Sequence, residues 1–209
     1  MHIESYQIIL IAIFLLIAFP VHEFAHAYTA YRLGDGTAKM FGRLTLNPVA
    51  HFDPLGGLLL IVSVLASGFV FGWAKPTPVN PSNLRDRRNS EVLVALAGPA
   101  SNLAMACLAA LVFRVLDATG IGEQMPLLVT EVLFYFVLFN ILLAIFNMIP
   151  IPPLDGSTLL WRFLPPQVAW QWRPILTQYG FIILLLFIFT IGSRVGSLVF
   201  SVTRILVGL

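Results

Sequence analysis

Residues 6–33, YQIILIAIFLLIAFPVHEFAHAYTAYRL, decide the class of fold to which this chain belongs. The stretch is apolar over most of its length, and it is long enough to cross a hydrocarbon core of about 30 Å. Residues 1–7 contain no Lys or Arg, which argues against a cleaved signal peptide. Ionisable residues inside a span are costly and mark a functional site. Here they are His22, Glu23 and His26. We therefore predict a membrane helix with a polar functional site in its second half.

The composition extends this prediction to the whole chain. Of its 209 residues, 58% are apolar and 11% are charged, whereas a soluble domain has about 25% charged residues. We expect one multi-pass domain over residues 1–209, with the lipid bilayer as a partner. The net charge of +2 gives no indication of a nucleic-acid partner. Cys107 is the single cysteine, which excludes an intrachain disulfide and a two-cysteine metal site.

Four more apolar runs follow, at residues 55–73, 92–116, 127–149 and 175–191. Together with the first run they predict an all-α bundle of about 4–6 transmembrane helices. The polar motifs fall in a core of residues 6–160, and residues 175–209 form C-terminal helices. Residues 195–209 are apolar at helical spacing, which predicts either a short further crossing or an amphipathic helix in the interface.

Two segments between the runs read as extended chain. Residues 39–46 include an alternating stretch that ends at the turn signal Asn47-Pro48, so we predict a short β element there. Residues 73–81, WAKPTPVNP, are extended because proline disfavours helix in the residue before it. Open backbone at membrane depth must be buried in protein or line a wet cavity. We therefore predict that the β element is re-entrant and that residues 55–73 dip into the membrane and return.

Basic residues support the same topology. Seven of them fall between the first and third runs: Arg32, Lys39, Arg43, Lys75, Arg85, Arg87 and Arg88. If residues 55–73 return to the side from which they entered, all seven lie on the cytoplasmic side, as the positive-inside bias prefers. The same path brings the polar end of the first run and the end of the fourth run to one side. We expect this polar functional site to face the cytoplasm.

The motif HEFAH at residues 22–26 predicts a metal site. Positions i and i+4 of a helix share a face, so both imidazoles can reach one zinc ion, and Glu23 can take a proton from the attacking water. Catalytic zinc keeps three protein ligands and an open position. The candidates for the third ligand are Asp155, Asp53, His51, Asp35 and Glu91. Asp155 follows prolines that must end the fourth run, and a carboxylate at a broken helix end suits a metal ligand.

Three motifs in this order resemble those of the site-2 protease class of intramembrane zinc metalloproteases, peptidase family M50. HEFAH at 22–26 resembles the family's HExxH, AGPASN at 97–102 its GPxxN-type helix motif, and NMIPIPPLDG at 147–156 its NxxPxPxxDG motif. The resemblance implies the compact prokaryotic subgroup without PDZ or CBS domains, and hence a prokaryotic cell membrane.

The resemblance also implies residue roles. The ligands of one Zn²⁺ per chain would be His22, His26 and Asp155, with Glu23 as general base and Asn147 holding the substrate backbone. The residues themselves suggest further roles: His51 and Asp53 support a zinc ligand or anchor their loop, and Gly98, Pro99 and Asn102 allow close helix packing or contact the substrate.

The function expected from the residues and the resemblance is hydrolysis of peptide bonds in or next to transmembrane segments of membrane proteins. The substrate must unwind before attack, and an exposed strand at residues 39–46 could pair with it. The alternative is a transporter or channel in which His22, Glu23 and His26 line an ion pathway. Such proteins often contain paired repeats with matching interruptions, and no second half of this chain matches the first.

Overall fold

The computed structural model describes residues 14–67 and 75–209, and these residues form helices joined by turns and extended loops. A π-helical turn, Phe14–Ala18, leads into α1, Phe19–Arg32. The later helices are α2 Thr37–Met40, α3 Pro48–His51, α4 Pro54–Ser67, α5 Arg87–Ala118, α6 Ile121–Gln124, α7 Leu127–Asn147, α8 Gly156–Phe163 and α9 Pro166–Val207, with a 3₁₀ turn at Pro81–Asn83. The all-α class is confirmed for these residues.

Three helices in the described part of the chain are long and apolar enough to cross a membrane: α5, α7 and α9. They correspond to the predicted third, fourth and last apolar runs. Residues 6–13 of the first run and residues 68–73 of the second lie outside the described residues.

The strand predicted over residues 39–46 is not found there. Its start belongs to the helical turn α2, and the rest is turns and extended chain, so residues 14–67 and 75–209 contain no strand. The physical reason is local. Gly42 has a φ of 67°, in the left-handed region that glycine tolerates. The Arg43 amide bonds back to the Ala38 carbonyl at 2.8 Å. The chain therefore closes a turn where a strand would need extended backbone.

The C-terminal segment differs from both of its predicted forms. Helix α9 runs for 42 residues without a break, which is about 63 Å at 1.5 Å per residue. Residues 195–207 thus continue the last apolar run instead of forming a separate crossing or a detached amphipathic helix. Arg114, near the end of α5, donates to the carbonyls of Ile205 and Leu206 at 2.6 and 2.7 Å. These bonds satisfy carbonyls at the helix end that have no partner within the helix.

The bundle places the predicted motifs at one level. His22 contacts Asn102 while His26 contacts Val94, so α1 runs antiparallel to α5. Small residues on α5 allow α7 and α9 to pack closely against it. The core among these three helices contains Ala106, Ala109, Ala110, Val137, Ile141, Val199 and Val207. This packing returns the chain after α7 to the level of the HEFAH motif.

The described chain on either side of residues 68–74 lies close to the bundle. Helix α4 is described from Pro54 to Ser67. The Lys75 amide donates to the His51 carbonyl at 2.9 Å, so the two ends of the segment meet. Residues 75–80 then run as extended chain along α1, as the prolines predict.

Candidate metal centre

Three side chains converge between α1 and the loop after α7. His22, His26 and Asp155 each offer one ligand atom, and these atoms lie within 4.8 Å of one another. The two Nε2 atoms are 3.0 Å apart, and Asp155 Oδ2 is 3.3 Å from each of them. Tetrahedral zinc with bonds of about 2.0–2.1 Å requires about 3.3–3.4 Å between its ligand atoms. The spacing therefore fits one small tetrahedral cation.

The hydrogen bonds of the two imidazoles expose their Nε2 lone pairs. His26 Nδ1 lies 2.7 Å from the Val94 carbonyl oxygen, which can only accept, so this nitrogen carries the proton. His22 Nδ1 lies 2.6 Å from Asn102 Oδ1. In the neutral rings neither Nε2 then has a proton to donate, and Asp155 Oδ2 is buried without a hydrogen-bond partner. Three electron-pair donors thus face one point, which is unfavourable in a buried site unless a cation joins them. The donor set fits zinc.

Gly98 makes room for the two rings. It lies in α5, directly against the imidazoles, and a Cβ at this position would overlap Nε2 of His26 and stand 2.6 Å from Cε1 of both rings. Pro99 is buried beside it inside the helix. The AGPASN segment therefore forms the surface on which the two imidazoles rest.

Glu23 lies beside the two histidines and is held by the extended segment before α5. Its carboxylate Oε2 accepts the backbone N–H of Thr77 at 2.8 Å, and its own carbonyl accepts the Thr77 hydroxyl at 3.0 Å. Only 7% of Glu23 is exposed. The side chain is therefore held at one of its oxygens, next to His22, His26 and Asp155, which we call the metal-binding group.

Comparison with known proteins agrees with these motifs. Residues 118–187 match the family model described as peptidase family M50. The "Putative zinc metalloprotease YwhC" of Bacillus subtilis is 41% identical over 192 residues, which cover 88% of this chain and 83% of that protein. The chain belongs to peptidase family M50.

More distant relatives carry similar names. The "Putative zinc metalloprotease Rip2" of Mycolicibacterium smegmatis is 30% identical to this M50 peptidase over 175 residues, 84% of this chain and 64% of the relative. The "Putative zinc metalloprotease Rip3" of Mycobacterium tuberculosis is 32% identical over 155 residues, 72% of this chain and 31% of the relative. No solved structure shows significant similarity to the chain.

Other candidate third ligands have partners elsewhere. His51 contacts the Thr45 carbonyl oxygen through Nε2 at 2.9 Å. Asp53 Oδ1 accepts the amides of Leu55 and Gly56, both at 2.9 Å, at the start of α4. In this M50 peptidase His51 and Asp53 thus hold the loop before α4, and the described structure gives neither a contact with the converging ligand atoms.

The last two candidates also stand apart. Asp35 accepts hydrogen bonds from Thr37, Asn80 and Asn83, and Glu91 pairs with Arg87 at 3.3 Å. Asp155 alone of the five candidates joins the metal-binding group.

Asn147 lies at the end of α7, on the chain that leads to Asp155. Its Nδ2 donates to the Leu143 carbonyl of the same helix at 3.0 Å. The side-chain oxygen of this amide can accept a further hydrogen bond, and its second N–H can donate one.

Two residues near the centre escaped the sequence analysis. Asn140 of α7 bonds to Asn102. The sequence contains a signal for Asn140, because a polar residue in an apolar span indicates a functional role. Thr77 had no such signal, because nothing in a threonine between two prolines indicates that its amide meets Glu23.

Proposed function

We propose that this M50 peptidase is an intramembrane zinc metalloprotease that hydrolyses peptide bonds in or next to transmembrane segments of membrane proteins. The observation that carries the proposal is the convergence of three electron-pair donors, His22, His26 and Asp155, within a bundle of apolar helices. The metal is zinc because the ligand spacing fits it and because the relatives are named for it. One ion per chain is expected.

The chain's own residues then have separate tasks. When bound, zinc supplies a Lewis acid and a water of lowered pKa. Glu23 is the general base: it takes a proton from the attacking water and passes it to the leaving amine. The Thr77 amide holds Oε2 of this carboxylate, so the other oxygen, Oε1, is the one that exchanges the proton. Asn147 offers its amide groups to the substrate backbone near Asp155.

The topology proposed for the membrane follows from the segment around α4. The chain before α4 meets the chain after residues 68–74 at His51 and Lys75, and flanks that meet suit a re-entrant element better than a crossing of a core about 30 Å thick. The end of α1, with Arg32, and the start of α5, with Arg87, then face the same side. The positive-inside bias makes that side cytoplasmic. The centre therefore opens toward the cytoplasm of a prokaryotic cell.

The experiment measures zinc content and proteolysis in detergent-purified protein. The substrate probe is a mixture of transmembrane peptides in lipid vesicles, with products identified by mass spectrometry. The matched pair of variants is Asp155→Ala, which removes a ligand, and Asp53→Ala, which removes a carboxylate of the loop before α4. About one zinc per chain is expected in the wild type and in Asp53→Ala, and a large loss in Asp155→Ala.

A third variant tests Glu23. Glu23→Gln has nearly the same size and keeps the three ligands, so it should retain zinc and lose cleavage. Wild-type cleavage by Glu23→Gln would remove Glu23 from its role as base. Failure of the wild type to retain zinc after gentle purification would contradict the proposed function as a whole.

A further inference from the structure

Two asparagines lie in the apolar interior of the bundle, next to the proposed metal site. Asn102 of α5 and Asn140 of α7 are both fully buried, and Asn102 Nδ2 donates to Asn140 Oδ1 at 3.0 Å. We infer that Asn140 is a positioning residue that, through Asn102, determines which ring nitrogen of His22 is free to bind metal. The inference rests on the proposed metal site and adds to it a residue that does not touch the metal.

The first step concerns the orientation of the Asn140 amide. Its nitrogen Nδ2 lies 2.9 Å from the Phe136 carbonyl oxygen one turn earlier in α7. A carbonyl oxygen can only accept a hydrogen bond, so the NH₂ group of Asn140 must face Phe136. The oxygen of the Asn140 amide therefore faces Asn102.

The second step carries this orientation to α5. Asn102 Nδ2 has two acceptors within reach, Asn140 Oδ1 at 3.0 Å and the Ala18 carbonyl oxygen at 3.4 Å. Turning the Asn102 amide over would bring its oxygen against these two oxygens and would leave the N–H groups without them. The NH₂ group of Asn102 therefore faces α7 and the start of α1, and its oxygen faces His22.

The third step fixes the imidazole. Asn102 Oδ1 has no proton, and it lies 2.6 Å from His22 Nδ1, so the ring nitrogen must donate. In the neutral ring the lone pair is then on Nε2, the atom that meets His26 and Asp155. The opposite ring form would direct an N–H at the metal position. Because the first bond in this series ends at a backbone carbonyl of α7, the helix itself sets the orientation of each group that follows.

Such supporting partners of metal-binding histidines have measurable effects. Their loss weakens metal binding by about 10–100-fold. Asn140→Leu removes the nearer of the two acceptors that hold the Asn102 amide and leaves only the Ala18 carbonyl oxygen at 3.4 Å, so the amide turns over more readily. We expect the zinc Kd to rise at least about 10-fold. In Asn140→Asp the buried carboxyl is protonated, donates its O–H to the Phe136 carbonyl in place of the amide N–H and keeps an oxygen facing Asn102, so its Kd should stay within about three-fold of the wild type.

The test is a chelator competition with zinc alone, in purified full-length protein. The control is Thr203→Val, which removes a fully buried hydroxyl that donates to Val199 on α9, away from the metal-binding group. The inference predicts weak zinc binding in Asn140→Leu and near-normal binding in Asn140→Asp and Thr203→Val. Equal Kd values in Asn140→Leu and Thr203→Val would overturn it while leaving the metal site intact. If the wild type binds no zinc, both proposals fail.

A second measurement needs no variant at Asn140. The ¹⁵N NMR signals of the His22 ring, in metal-free wild-type protein and assigned with His22→Gln, report which nitrogen carries the proton. The inference requires a protonated Nδ1 and an unprotonated Nε2. The reverse pattern would overturn the third step and with it the inference.

Discussion

Gly98→Ala tests whether the close approach of α5 to the two histidines is needed for metal binding. The added Cβ would stand 2.6 Å from Cε1 of both His22 and His26. Carbon atoms in favourable contact are about 3.5–4.0 Å apart, so both rings would have to withdraw by about 1 Å. Metal sites tolerate deviations of about 0.2 Å in their ligand distances. The two rings cannot withdraw from the Cβ and still keep both Nε2 atoms at bonding distance from one zinc ion. We therefore expect zinc affinity to fall by at least 100-fold, about 2.7 kcal/mol.

The assay is chelator competition together with the thermal midpoint of the detergent-solubilised protein. Overpacking of this kind costs about 1–3 kcal/mol of stability, so the midpoint should also fall. Gly196→Ala is the matched control, because it makes the same change inside α9 where no atom lies within 4 Å of the added Cβ. It should leave zinc affinity unchanged and leave stability the same or slightly higher. A Kd for Gly98→Ala equal to that of Gly196→Ala would refute the reasoning.

Two further predictions concern the loops that hold the centre. Thr77→Val removes the hydroxyl bond to the Glu23 carbonyl, so we expect kcat to fall about five-fold, for about 1 kcal/mol, with normal zinc content and recovery in Thr77→Ser. Asp35→Asn replaces one carboxylate oxygen by NH₂, which then faces the N–H donor of either Asn80 or Asn83, and should cost about 1–3 kcal/mol of stability. Burial raises the pKa of Asp35, but hydrogen bonds from Thr37, Asn83 and Asn80 outweigh it and lower the pKa below its ordinary value. The stabilisation that ionised Asp35 provides is therefore complete above about pH 4 and is lost as the pH falls through the lowered pKa. The free energy of unfolding of Asp35→Asn, measured against pH, should lack this decrease.

Local signals in the sequence were sufficient for much of the fold and for part of the centre. Hydrophobic length predicts α5, α7 and α9, because a membrane span must be apolar whatever it packs against. The i, i+4 spacing predicts that His22 and His26 share a face, because helix geometry alone brings them together. Asp155 remained one of several candidates on the local sequence; the family resemblance implied it, and in the described structure it is the candidate whose carboxylate meets the two histidines.

What failed depended on contacts between distant parts of the chain or on turn geometry. The prediction of a β element at residues 39–46 was wrong, because the alternation of apolar and polar side chains does not reveal that Gly42 closes a turn. The two alternatives for residues 195–209 both assumed a break near Arg194, and α9 continues through it. Thr77 and Asn140 act on residues far away in sequence, so no local pattern could assign their partners.

The polar groups inside the bundle form one connected system, and its arrangement explains where a cation is required. From the Phe136 carbonyl through Asn140 and Asn102 to His22, every bond has a donor and an acceptor. His26 is satisfied in the same way by Val94.

The series ends at Nε2 of both histidines and at Asp155 Oδ2, where only acceptors remain. Among the described residues, two other buried side-chain atoms lack hydrogen-bond partners. They are Arg43 Nη1, between α2 and α3, and His51 Nδ1, at the end of α3, and neither belongs to this group of acceptors. Since buried acceptors without a positive partner are unfavourable, folding of the bundle creates a site that a divalent cation completes. Zinc should therefore raise the thermal midpoint of the wild type and have little effect on Asp155→Ala.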